Sequence, residues 1–179
     1  EIEPALESLH QAIQVAPSLA IPWLSLAKVY QGASQPQKAL ETLRAATYAV
    51  PDDALIHLKL GEAYMEGGSP TQALSDLRLA AELADQDQES PQSELKRHRM
   101  AHMRMIIALR LGQTLGHLGH QEEAHHVLEE AYSQAPSNPE IARGYAQVLL
   151  AEGELNAALM PLETILNSQT ADLPPCMAE

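Results

Sequence analysis

The side chains of this sequence that could do chemistry are mainly histidines. The chain has eight of them, and His98 and His102 are four residues apart, which is about one helical turn and a spacing that can chelate a metal. A further group follows near the middle of the chain: His117, His120, His125 and His126. Gly116 and Gly119 place the first two of these at a turn, and no cysteine or fixed acidic third ligand has an obvious place beside them. We therefore expect exposed polar histidines, with no metal and no cofactor.

The sequence lacks the motifs of common enzymes. It has no glycine-rich phosphate loop, no nucleophile elbow and no pair of zinc-binding histidines around a glutamate. The single cysteine, Cys176, follows two prolines in a C-terminal segment that we expect to be flexible. It has no second cysteine with which to form an internal disulfide, and this position does not favour a nucleophile. We predict that the chain is not an enzyme.

The charge of the chain limits its partners. Its 179 residues carry a formal net charge of −13, with a sequence pI near 4.9. Because phosphate binding relies on Lys and Arg, we expect no nucleic acid partner and no attraction to an anionic membrane surface. No apolar run approaches the roughly 20 residues that span a bilayer, and no signal peptide is visible. We expect a soluble protein without membrane insertion, with the cytoplasm favoured over the periplasm.

The elements that must position these side chains recur every 34 residues. Residues 23–30 (WLSLAKVY) align with residues 57–64 (HLKLGEAY) at this offset. Within each recurrence, a small residue is followed twelve positions later by another, in the pairs Ala27 and Ala39, Gly61 and Ala73, Gly112 and Ala124, and Ala146 and Ala158. Two helices of a hairpin cross closely only where side chains are short. Each recurrence is therefore predicted to form a pair of packed helices.

This spacing resembles the tetratricopeptide repeat (TPR), whose pattern is a large residue, Leu-Gly/Ala, Tyr, Ala, a second large residue, Ala and a closing Pro. Departures from it include His57 and Ala108, which stand at the position of Trp23. The resemblance implies an all-α fold, a right-handed α-α superhelix of antiparallel helix pairs over residues 4–168. We assign residues 4–17 to the second helix of a partial repeat, a flexible tail to residues 169–179, and repeats, the last incomplete, to 20–53, 54–87, 105–138 and 139–168.

An insertion at residues 88–104 interrupts the array. Its first part is polar and reads as a loop, with Ser90 or Ser93 as a helix cap. Its second part has no helix breaker before Gly112 and is predicted to extend the following helix by about two to three turns. Five of the eleven basic residues lie here or just after it: Lys96, Arg97, Arg99, Arg104 and Arg110. Two interpretations stay open, a docking surface for an acidic partner segment and a solvated helix end balanced by neighbouring acids.

In TPR proteins the first helices of successive repeats line a concave groove that grips a peptide or a helix. The resemblance implies a partner-binding set in this groove or at its rim, namely Ile21, Leu24, Lys28, Leu55, Leu58, Lys59, Glu62, Met65, Ile106, Leu109, Arg110, Gln113, His117, Arg143 and Gln147. Much of this set is apolar, so we expect an apolar or amphipathic segment oriented by Lys28, Lys59 and Arg110. At the positions where chaperone-binding relatives clamp a carboxylate, only Arg110 fits, so that partner is not expected.

The sequence thus predicts a protein–protein interaction scaffold. Since the chain begins at Glu1 rather than at a methionine, we expect a domain of a longer protein. Three alternatives stay open: the apolar groove positions pack within the chain or on further repeats, the array self-assembles through open ends, or it is the non-catalytic TPR portion of a larger enzyme.

Overall fold

The computed structural model describes residues 3–86 and 94–171. This part of the chain contains helices and no strands, which confirms the all-α prediction. In chain order the helices are α1 (Glu3–Val15), α2 (Ala20–Gly32), α3 (Pro36–Ala49), α4 (Ala54–Glu66), α5 (Pro70–Gln86), α6 (Glu94–Leu118), α7 (Gln121–Gln134), α8 (Pro139–Glu152) and α9 (Leu159–Ala171).

The chain divides into two compact units, Glu1–Ile107 and Ala108–Glu179. In the first unit α2 packs on α3 and α4 on α5, while α1 contacts α2 and α3 contacts α4. In the second unit α8 packs on both α7 and α9. These helices thus pack on their sequence neighbours, as expected for an array built from a short repeat.

The crossing of paired helices depends on glycine at two repeat-equivalent positions. A Cβ added to Gly61 would lie 2.7 Å from Leu77 Cγ, and one added to Gly112 would lie 2.5 Å from Leu128 Cγ. Real Cβ atoms do not approach that closely, so each leucine occupies the space that a larger residue would need. The sequence predicted that small residues permit the helices to cross closely. The structure shows that the space beside each glycine is filled by the leucine sixteen positions later, Leu77 or Leu128.

Leu128 is in contact range of a second glycine as well. A Cβ on Gly144 of α8 would lie 3.4 Å from Leu128 Cδ2 and 2.7 Å from Leu109 Cδ1. In the second unit, one leucine of α7 is therefore bordered by glycines from both α6 and α8. The same region buries the alanines of the predicted small pairs, Ala124 and Ala146.

The first helices of two repeats begin at equivalent side-chain caps. Asp53 Oδ1 accepts hydrogen bonds from the backbone N–H groups of Leu55 at 2.9 Å and Ile56 at 3.0 Å. Asn138 Oδ1 does the same for Glu140 and Ile141. These bonds satisfy backbone donors that a helix leaves unpaired at its N-terminus. At the equivalent position in the fourth repeat, Arg104 lies inside α6, because that helix already begins at Glu94.

Helix α6 contains 25 residues, against 13 to 17 in the other helices. The segment predicted to extend the fourth repeat, residues 95–104, is helical. Ser90 and Ser93, the two predicted caps, lie outside the described residues.

Helix α9 begins later than the repeat predicts. The equivalent of the first residue of α7 is Leu155, yet α9 starts at Leu159. Proline lacks an N–H group and is tolerated only in the first helical turn, so Pro161 forces this late start. The helix ends at Ala171, which places residues 169–171 in a helix rather than in the predicted tail. The rest of that tail, including Cys176, lies outside the described residues.

Candidate partner-binding site

Two repeat-equivalent apolar side chains lie exposed on neighbouring first helices of the first unit. Ile21 on α2 is 77% exposed, and Leu55 on α4 is 37% exposed. The offset between them is one repeat, and α2 contacts α4 directly. Ile106, the next equivalent after the insertion, is half-buried on α6. The repeat therefore brings the same side of successive first helices to the protein surface.

We call the contact residues on these two helices the α2–α4 surface, defined by Ile21, Leu24, Lys28, Leu55, Lys59, Glu62 and Met65. Leu24 and Met65 are half-buried, and Leu24 packs against the core cluster that contains Ala27 and Leu43. Lys28 and Lys59 are exposed, and Lys59 Nζ lies 2.7 Å from Glu62 Oε2. This ion pair is solvent-accessible and adds little stability. It holds the ammonium group of Lys59 on the same helix as Leu55.

Leu58 and Leu109 do not belong to an exposed site. Leu58 is 1% exposed and Leu109 is 7% exposed, so neither side chain is open to a partner in this structure. Leu109 packs against the backbone of α8 at Gly144. These two residues and Leu24 are repeat equivalents, and a side chain at this position points toward the core. Helical periodicity identifies a broad apolar stripe, but it does not show which edge of the stripe a neighbouring helix covers.

The predicted contact residues of the second unit are mainly polar. His117, Arg143 and Gln147 are exposed, and Arg110 and Gln113 are half-buried. Both arginines contact a side chain three positions away on the same helix. Arg110 Nη1 donates to Gln113 Oε1 at 3.2 Å, and Arg143 Nη1 lies 3.2 Å from Glu140 Oε1. Leu150 is the repeat equivalent of Met65 and is exposed, although it is not among the predicted contact residues. The role of these residues in partner binding stays a prediction.

Most of the histidines lie at the surface. Exposed side chains are His10, His98, His102, His117, His120 and His126, and His125 is half-buried. No group of three or more His, Cys, Asp or Glu side chains is arranged to hold a metal ion within the described residues. His57 is different, because its side chain is buried. It stands at the repeat position of Trp23 and is not among the histidines predicted to be exposed.

His57 is held by acceptors at both ring nitrogens. Nε2 donates to the backbone oxygen of Pro51 at 2.9 Å, and Nδ1 donates to Asp76 Oδ1 at 3.0 Å. A carbonyl and a carboxylate only accept, so both bonds form together when the ring is a protonated imidazolium. The bond to Asp76 raises the pKa of His57 above its ordinary 6.5, and the bond to Pro51 acts in the same direction against the effect of burial.

A second polar network joins α7, α8 and α9. His125 Nδ1 donates to Glu152 Oε2 at 2.6 Å, and the histidine ring meets the Tyr145 ring edge-on with 5.6 Å between centroids. Tyr145 lies 5.4 Å from Tyr132, whose hydroxyl is 3.2 Å from Thr164 Oγ1. Burial raises the pKa of the Tyr145 hydroxyl above its ordinary 10.0, and nearby glutamates raise it further. The network thus links three successive helices of the second unit.

Within the described part of the chain, none of the helices has both the length and the apolar composition needed to cross a membrane.

Residues 48–174 match the family described as tetratricopeptide repeat protein 21 ARM repeat. No curated protein matches the sequence. Among solved structures, MamA is similar with a TM-score of 0.73 and 16% identity, covering 95% of this chain and 90% of MamA. Pseudomonas aeruginosa PilF has a TM-score of 0.71 at 22% identity, covering 93% of this chain and 68% of PilF. The type IV pilus biogenesis factor PilW has a TM-score of 0.73 at 22% identity, covering 97% and 72% of the two chains. At these identities the likeness establishes the fold alone.

Proposed function

Because this chain belongs to the family of the tetratricopeptide repeat protein 21 ARM repeat, we propose that it is a protein–protein interaction scaffold whose first helices bind a segment of a partner protein. Repeat proteins of this type generally serve as interaction scaffolds. The observation that carries the proposal is the exposure of Ile21 and Leu55, which occupy the same repeat position on neighbouring helices.

The α2–α4 surface favours an apolar or amphipathic segment. Covering a fully exposed aliphatic side chain is worth about 1.5–3 kcal/mol, so Ile21, at 77% exposed, is expected to contribute more affinity than Leu55, at 37% exposed. Lys28 and Lys59 border them and supply charge that orients the bound segment. The proposed role is binding rather than catalysis, and it needs no cofactor.

The decisive experiment selects peptides from a displayed random library on the folded protein. We expect enrichment of sequences with apolar residues at regular spacing, and binding weakened by about tenfold or more in the Ile21→Asp/Leu55→Asp double variant. Both positions are exposed, so the variant retains its fold, which circular dichroism verifies. Val15→Asp/Leu79→Asp is the matched control, since Val15 is 86% exposed and Leu79 is 37% exposed, and both lie on second helices, α1 and α5. Equal loss in the control, or no enrichment at all, would contradict the proposal.

Self-association is a second candidate function, favoured by the exposed face of α9. An apolar stripe at helical spacing is formed by Leu159, Leu162 and Leu166, all of which are exposed. Leu162 is 41% exposed, whereas its repeat equivalent Leu128 is 0% exposed. In the preceding repeat this position is covered by α8. We propose that the chain self-associates and that a second copy covers this stripe.

Light scattering over a range of concentrations separates the two functions. Self-association predicts a mass that grows with concentration and returns to that of a monomer in the Leu159→Glu/Leu166→Glu variant. A constant monomeric mass would remove this candidate and leave partner binding by the α2–α4 surface untouched.

A further inference from the structure

The α2–α4 surface has an apolar end and a charged end. On each helix the exposed apolar side chain is followed seven residues later by a charged one, Lys28 after Ile21 and Glu62 after Leu55. Seven residues make close to two helical turns, so each charged side chain lies on the same side of its helix as the apolar one, about 10 Å further along the axis. A segment that covers the apolar end can therefore also reach the charged end.

The charge on α4 is balanced within that helix, whereas the charge on α2 is not. Lys59 Nζ lies 2.7 Å from Glu62 Oε2, so the lysine of α4 already has a carboxylate partner. In the described part of the chain no acidic side chain pairs with Lys28, which is exposed. The positions three and four residues from Lys28, where ion pairs within one helix form, are occupied by Leu24, Ser25, Gln31 and Gly32.

The charged end also differs between the two helices. Lys28 and Glu62 occupy the same repeat position, so opposite charges stand at this position on α2 and α4. Glu66 adds an exposed carboxylate on α4, one turn beyond Glu62. A carboxylate of a bound segment is therefore attracted to α2 and repelled by the end of α4.

We propose that the segment bound by the α2–α4 surface carries a carboxylate that forms an ion pair with Lys28, about 10 Å from the apolar residue that covers Ile21. An extended segment spans this distance with about three residues, and a helical segment with about seven. The inference rests on the proposed function, because it names the chemistry of the partner at that same site. Of the two lysines that border the surface, Lys28 is the one that selects the charge of the segment.

Parallel selection from a displayed random peptide library on the wild type and on Lys28→Glu tests this inference. We expect the wild-type pool to carry Asp or Glu about three or seven residues from an apolar residue, and the Lys28→Glu pool to carry Lys or Arg there. Arg44→Glu is the matched control, because Arg44 is exposed on α3 and the charge change is identical. Its pool should match that of the wild type, and circular dichroism verifies the fold of both variants.

The outcomes of this selection separate the inference from the proposed function. Enrichment of apolar peptides that depends on Ile21 and Leu55 but lacks the acid would overturn the inference and leave the proposed function standing. The same acid in the Lys28→Glu pool would do so as well. Enrichment of no peptide in any pool would contradict both.

A double-mutant cycle with a synthetic peptide from the wild-type pool measures the ion pair itself. Replacing the acid of the peptide by the corresponding amide should weaken binding to the wild type by about two- to fivefold, as for an exposed ion pair. The same replacement should have no effect on binding to Lys28→Gln, whereas Arg44→Gln should behave as the wild type. Equal losses on the wild type and on Lys28→Gln would overturn the assignment of the carboxylate to Lys28.

Discussion

His57 and Trp23 make the same hydrogen bond one repeat apart. The ring nitrogen Nε1 of Trp23 donates to the backbone oxygen of Pro17 at 2.9 Å, and Nε2 of His57 donates to that of Pro51 at 2.9 Å. The substitution of His for the bulky aromatic residue of the repeat thus keeps the link to the preceding proline. It also adds a bond that tryptophan lacks, from Nδ1 to Asp76 on the second helix of the pair.

The stability of the fold is therefore expected to fall as the pH rises from the ordinary histidine pKa of 6.5 through the raised pKa of His57. The pKa of His57 is raised in the folded state, so its stabilisation is complete below the unfolded value near 6.5 and is lost as the pH passes the folded value. The free energy of unfolding in urea, measured at several pH values, checks this. Asp76→Asn should remove much of the dependence, whereas His10→Gln, at an exposed histidine, should retain it. An unchanged slope in Asp76→Asn would count against the imidazolium assignment.

Two glycines of the same helix should respond oppositely to alanine. Gly112→Ala is expected to destabilise by about 1–3 kcal/mol, because the new Cβ meets Leu128. Gly116→Ala has open space around it and should be neutral or stabilise by up to about 1 kcal/mol, since alanine restricts the unfolded chain. Denaturant unfolding of the two variants provides the comparison. Similar effects at both positions would mean that helix propensity, not packing, governs α6.

The cap of α8 is expected to contribute measurable stability. Asn138→Ala removes the acceptor for two backbone N–H groups and should cost about 0.5–2 kcal/mol in unfolding free energy. Asn138→Asp keeps a side-chain acceptor and should stay near the wild type. If alanine and aspartate gave equal losses, the effect would not come from capping.

The bond between Tyr132 and Thr164 should stabilise the packing of α9 in the second unit. Tyr132→Phe is expected to lower the unfolding free energy by about 0.5–1.5 kcal/mol, because it removes one hydroxyl while keeping the ring that meets Tyr145. Tyr48→Phe, at an exposed tyrosine, serves as the control and should have no effect. Thermal melting followed by circular dichroism distinguishes the two variants.

The repeat spacing was sufficient to predict the helix pairs and the small residues at their crossings, because both depend on contacts that recur at fixed intervals. The bonds of His57 to Asp76 and of His125 to Glu152 were not predicted. Each joins side chains on different helices, and only the packing of those helices brings them within hydrogen-bond distance.

The candidate site was predicted less completely than the fold. Its exposed members Ile21 and Leu55 follow from the repeat position alone. Leu58 has the same residue type on the same helix as Leu55, yet it is buried by its neighbours. The late start of α9 has a local cause, since Pro161 restricts the backbone regardless of the repeat. Sequence patterns thus locate a stripe of residues, while packing decides which of them a partner can reach.

The placement of Leu128 between Gly112 and Gly144 has a consequence for how this sequence can diverge. A larger residue at either glycine would occupy space that Leu128 now fills. A substitution at one of these three positions therefore changes which residues the other two tolerate. We expect covariation among the three positions in homologues. In the laboratory, Leu128→Ala, which is harmful alone, should partly rescue Gly112→Ala.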